Sequence, residues 1–96
     1  MNITTLKNVF FIGIGGIGMS AIARYFHRLG KNVAGYDKTR THLTDELEAE
    51  GIVIHFEDDL NLIDKPFLNK EETLVVITPA IPKNHSEPKR QNLLEF

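Results

Sequence analysis

Val9-Phe10-Phe11-Ile12-Gly13-Ile14-Gly15-Gly16-Ile17-Gly18-Met19-Ser20 is the stretch whose reading decides the fold of this 96-residue chain. Its first four residues are all apolar, the pattern of a strand buried on both faces, and they run straight into glycines spaced as G-x-G-x-x-G. Helical periodicity begins directly afterwards. In such a strand, turn and helix unit each glycine has its own role: Gly13 permits the tight turn, Gly15 lets backbone approach a phosphate, and Gly18 lets the helix lie close to its strand. The amides that open the helix have no partners within it, and the helix dipole puts its positive end at the same place, which suits a diphosphate.

Glycines also mark ordinary turns, so the context of the motif matters more than its spacing. Strand 2, expected over Asn32 to Tyr36, delivers Asp37 about 20 residues further on, at the sheet edge where the glycine turn also lies. There Asp37 can accept hydrogen bonds from a ribose or a uracil-like ring; the alternative is a turn or capping residue within Tyr36-Asp37-Lys38-Thr39. Nucleotide or nucleotide-sugar binding is the reading that the context favours.

Working outward, strand 1 is expected over Asn8 to Ile14 and the first helix over Ile17 to Leu29. Ile22, Phe26 and Leu29 fall on one face of that helix, Ala21 and Tyr25 lie at its margin, and Arg24, His27 and Arg28 point to solvent. Gly30 stands where a helix stop belongs. A second helix is expected from Thr41 or Thr44 to Glu50, with Leu43 and Leu47 buried and Gly51 after it, then strand 3 over Ile52 to Phe56. Glu57-Asp58-Asp59 is read as capping a following helical turn rather than as a metal site. Leu60 and Ile63 fit a short helix interrupted by Pro66, with Phe67 and Leu68 anchoring the crossover to strand 4, Leu74 to Ile77. Thr78-Pro79-Ala80-Ile81-Pro82 cannot continue a central strand and leaves the sheet at the glycine-turn edge, a candidate ligand lip. A last helix is expected from Ser86, as cap, to Leu94. This alternation predicts an α/β, Rossmann-like three-layer domain with a parallel sheet of four or five strands.

Composition bounds the function. The formal net charge of -2 gives no general basic surface, which disfavours nucleic acid as a partner. With no cysteine there is no disulfide, thiolate nucleophile or cysteine metal site, and His27, His42, His55 and His85 are scattered rather than clustered. No apolar run approaches the ~20 residues of a membrane span, and the first residues lack the plan of a signal peptide, so a soluble cytoplasmic domain is expected. No G-x-x-x-x-G-K-[ST] loop occurs, so the chain has no motif for cradling ATP phosphates.

Phe11-Ile12-Gly13-Ile14-Gly15-Gly16-Ile17-Gly18-Met19-Ser20-Ala21-Ile22-Ala23 resembles the opening of the Mur ligases, the alanine-adding members most of all. Gly35-Tyr36-Asp37 is similar to the Gly-Ser-Asp at the end of their second strand, and Val75 to Pro82 resembles their Val-Val-Ser-Ser-Ala-Ile segment. The resemblance covers roughly residues 8 to 85. It implies that residues 1–96 form an N-terminal domain that binds UDP-N-acetylmuramate, within a three-domain ligase whose missing central and C-terminal domains bind ATP with magnesium and the incoming amino acid. In that reaction ATP phosphorylates the lactoyl carboxylate and the amine of L-alanine displaces phosphate. The resemblance further implies that Gly15, Gly16, Ile17, Gly18, Met19 and Ser20 receive the diphosphate, that Asp37 contacts the uridine, and that Thr78, Ala80 and Ile81 line the neighbouring wall. No cofactor, metal or catalytic residue is expected in this domain itself. The chain departs from the family in having Asp58 where a histidine commonly follows strand 3, and Thr78-Pro79 in place of Ser-Ser. A ligase that recycles a whole tripeptide onto the same UDP-sugar fits equally. From other classes, an NAD-binding redox or sensor domain and a Rossmann-like domain serving only as a protein contact surface remain as alternatives.

Overall fold

The structure is a computed structural model, and it describes residues 5–63, 65–69, 71–77 and 93–95. The elements run β1 (Asn8–Ile12), α1 (Ile17–Arg28), β2 (Asn32–Tyr36), α2 (His42–Ala49), β3 (Val53–His55), two 3-10 turns (Leu60–Leu62 and Lys65–Leu68), β4 (Thr73–Ile77) and β5 (Leu93–Glu95). All five strands pair in parallel, in the order β3-β2-β1-β4-β5. The chain therefore builds outward from β1 to β3, then returns to the other side of β1 for β4 and β5. The reversal falls between β1 and β4, and in open parallel sheets a crevice for ligands forms at the carboxyl ends of the strands beside such a reversal.

Every residue of β1 is buried, and the strand's period of two divides them between two cores. Val9 and Phe11 join Met19, Ala23 and Phe26 of α1 and Leu47 of α2 on one face, together with Leu74 and Val76. On the other face Phe10 and Ile12 join Ala34, Tyr36 and Val75, covered by Ile63, just after the first 3-10 turn, and Phe67 of the second. The three layers are thus α1 with α2, the sheet, and these turns. An apolar run with no alternation is what a strand sandwiched in this way requires.

Several boundaries differ from the sequence expectation. β1 stops at Ile12 because Gly13 takes φ 91°, which turns the backbone out of the sheet, although Ile14 beyond it remains fully buried. On α1 the buried residues are Met19, Ser20, Ala23 and Phe26, whereas Leu29 is 53% exposed and Ile22 only partly buried. The small side chains of Ser20 and Ala23 let the helix lie close on the sheet, which rotates Ile22 away from the centre of the contact. Leu29 is the C-cap residue and lies beyond the packed turns, before Gly30 at φ 86°. Arg24 is no free solvated charge: it reaches Glu50 at 2.8 Å and Glu46 at 3.2 Å on α2. In α2, Leu47 is buried as expected, Leu43 is half-buried, and the fully buried Thr44 takes part in the core. Asp59 does cap the following turn, accepting the Asn61 amide at 2.9 Å.

The largest correction concerns the end of the chain. Leu93 and Leu94 are not the last turn of a helix but lie in β5, in register with Val75 and Val76 of β4. β4 is buried on both faces, and its backbone groups on that side find their partners in β5. The remainder of the expected helix, residues 86–92, lies outside the described residues.

Candidate functional site

The glycine turn is built from backbone hydrogen bonds. Gly13 and Ile14 both donate to the Tyr36 carbonyl, at 2.7 and 3.1 Å, which ties the end of β1 to the end of β2. Gly16 donates back to the Gly13 carbonyl at 3.2 Å and closes the turn. Gly16 is also the N-cap of α1; it has no side chain to satisfy the first amides, and the first turn of the helix carries no acidic residue. The first bond within the helix is from the Ser20 amide to the Gly16 carbonyl, at 2.8 Å. The amides of Ile17, Gly18 and Met19 therefore open α1 without an acceptor among the described residues. Three donors at the positive end of a 12-residue helix suit an anion.

The individual residues do not share one role. Ile17 is 86% exposed, so its amide opens beside a side chain that leaves the site accessible. Met19 is buried in the core below, leaving only its backbone for a ligand. Ser20 is also buried, and its hydroxyl donates to the Ile17 carbonyl at 2.9 Å, so that its side chain is committed to its own helix. Asp37 comes to the same edge, as the end of β2 dictates. Its Oδ2 accepts the Gly15 amide at 2.8 Å and its Oδ1 accepts the Thr39 amide at 3.1 Å. Each carboxylate oxygen offers about two acceptor positions, which leaves room for a ligand hydroxyl or ring N–H.

Thr44 was not legible as a neighbour of this turn. It forms a reciprocal capping box with Thr41, and its methyl packs where a Cβ on Gly15 would stand, 3.0 Å away. The helix-cap chemistry of Thr41 and Thr44 was evident in the sequence, but nothing there showed that the cap abuts Gly15. Tyr36 enters through its carbonyl, which no side-chain pattern reveals. His55 is half-buried and stacks on Phe10 with ring centroids 5.8 Å apart, while its carbonyl accepts the Asp37 amide at 3.2 Å. Asp58 is exposed. Thr78, Ala80 and Ile81, the expected wall of the site, lie outside the described residues.

No group of three or more histidine, aspartate or glutamate side chains converges among the described residues, and the sequence has no lysine-bearing phosphate loop. Nor, among the described residues, is any helix long and apolar enough to cross a membrane.

Comparison with known proteins agrees with this arrangement. Residues 8–95 match the family described as Mur ligase family, catalytic domain. The chain is 63% identical over 87 residues to the UDP-N-acetylmuramate–L-alanine ligase of Flavobacterium psychrophilum, a match that covers 91% of this chain and 19% of that protein. It is 61% identical over 82 residues to the ligase of the same name from Porphyromonas gingivalis, covering 85% of this chain and 18% of the other. In three dimensions it is similar to the crystal structure of UDP-N-acetylmuramate-alanine ligase from Thermotoga maritima, with a TM-score of 0.75 and 32% identity over 92% of this chain and 20% of that one. The chain thus spans about a fifth of the length of these relatives. With nearly its whole length matched and its glycine turn in the expected place, the chain belongs to the Mur ligase family.

Proposed function

We propose that residues 1–96 are the N-terminal, UDP-N-acetylmuramate-binding domain of a longer cytoplasmic ligase that joins L-alanine to the lactoyl carboxylate of that sugar in peptidoglycan synthesis. The observation that carries this reading is the trio of amides at Ile17, Gly18 and Met19, without acceptors among the described residues, beside the Asp37 carboxylate at the mouth of the sheet reversal. The amides bind the diphosphate. Asp37 accepts from the uridine, and Thr78, Ala80 and Ile81 form the wall next to it. The domain binds and orients, while the ATP-dependent chemistry and the amino acid belong to the central and C-terminal domains. Eight curated relatives at 51–63% identity are named UDP-N-acetylmuramate–L-alanine ligases, which favours that substrate over a recycled tripeptide.

Calorimetric titration of the chain with UDP-N-acetylmuramate, UDP and NADH tests the reading. Saturable binding of the UDP-sugar, weaker binding of UDP and no response to NADH are expected. Saturable NADH binding without UDP-sugar binding would replace this reading with a dinucleotide-binding redox or sensor domain.

A further inference from the structure

We infer that Asp37 is a positioning residue for the anion-binding turn, that it acts through the Gly15 amide, and that Gly15 itself is not a phosphate donor. The glycine spacing alone suggests that Gly15 is bare so that a phosphate can approach. The structure gives that space another occupant. A Cβ on Gly15 would stand 2.8 Å from Asp37 Oδ2 and 3.0 Å from the Thr44 methyl, so the missing side chain makes room for the end of β2 and the start of α2. The Gly15 amide is committed to the same Oδ2 at 2.8 Å, while the Thr39 amide, at 3.1 Å from Oδ1, steadies the other side of the carboxylate. Gly16 is committed to Gly13 at 3.2 Å. Both amides inside the turn are thus used to shape it, and the donors left for an anion start at Ile17. A turn already closed by its own carboxylate does not have to be ordered by the ligand, which lowers the cost of binding. One acidic side chain thereby serves both halves of a nucleotide, accepting from one end and setting the amides that grip the other.

That the anion is the diphosphate of a UDP-sugar rests on the function proposed above; the Asp37–Gly15 bond and its role in the turn do not. The test is nuclear magnetic resonance on the whole labelled chain. In the ligand-free protein a through-bond coupling between the Gly15 nitrogen and the Asp37 carboxylate carbon is expected, and its absence would overturn the inference without any variant having to fold. In Asp37→Ala the Gly15 amide should exchange with solvent about tenfold faster, with partial protection restored in Asp37→Asn, which keeps one acceptor oxygen. Unchanged exchange in Asp37→Ala would also overturn it. With UDP added to saturation, the coupling should persist while the amides of Ile17, Gly18 and Met19 shift. Loss of the coupling, with Gly15 shifting as much as they do, would show the amide released to the ligand and would refute the assignment. No shift at any of these amides would count against the UDP reading alone, because the ligand-free coupling already decides whether Asp37 holds Gly15.

Discussion

Two glycines with no special backbone angle matter here for the space they leave. A Cβ on Gly35 would fall 2.8 Å from the Phe11 carbonyl and 2.7 Å from the end of Ile14, and the carbonyl belongs to the central strand and cannot move aside. Gly35→Ala should therefore destabilise the fold by about 2 kcal/mol, measured as a lower urea midpoint, with the glycine turn disturbed through Ile14. Gly15→Val strikes the Asp37 carboxylate and Thr44 first, so it should abolish UDP-sugar binding and move the Asp37 resonances even before ligand is added. That Gly15 must be bare was legible in its spacing, but the neighbours that require it, Asp37 and Thr44, were not. That Asp37 would reach the turn followed from its place at the end of β2. That it would hold Gly15 is a fact of side-chain packing, to which a linear pattern is blind.

At the scale of elements, α2 is short and relies on its start. Thr41 and Thr44 satisfy each other's amides, at 3.2 and 2.8 Å, and Thr44 then fills the space beside Gly15. Thr41→Ala should cost about 1 kcal/mol in urea unfolding and loosen the glycine turn with it. The two helices are also joined by Arg24, which lies between Glu46 and Glu50. The Arg24 hydrogen bond holds the Glu50 carboxyl below its ordinary range. A carboxyl lowered on folding contributes stability at pH above its unfolded value, and that contribution is lost as pH falls through the folded one. Arg24→Gln should therefore narrow the stability difference between neutral and acid pH, slightly because the pair is exposed, as thermal melts in paired buffers would show. Strand and helix identities near the glycine turn were legible because Val9 to Ile12 of β1 and Leu74 to Ile77 of β4 are unbroken apolar runs flanked by turn residues. The face of α1 is misjudged when large residues are given priority, whereas close packing on the sheet selects Ser20 and Ala23. β5 escapes a reading of the sequence because three residues carry no period, and the strand is recognisable only once β4 is seen beside it.

For the molecule as a whole, the sheet is held in register at the edge opposite the crevice by a buried polar side chain. Asn8 donates to the Pro66 carbonyl at 2.9 Å and to Thr73 at 3.3 Å, and accepts from Asn32 at 2.8 Å. One residue thus ties β1 to β2, β4 and the second 3-10 turn. Asn8→Ala removes all three bonds, although the Thr73 hydroxyl still donates to the Pro66 carbonyl at 3.3 Å, so a loss of roughly 2 kcal/mol is expected in equilibrium unfolding, with ligand affinity changed little since the crevice lies at the other end of the strands. The central claim concerns that crevice, and it is tested most directly by mapping amide shifts while UDP-N-acetylmuramate is titrated into the chain. Saturable shifts concentrated at Ile17, Gly18, Met19 and Asp37 are the expected result. Shifts gathered instead around Lys31, Lys65 and Phe67 at the opposite edge, or none at millimolar ligand, would contradict it.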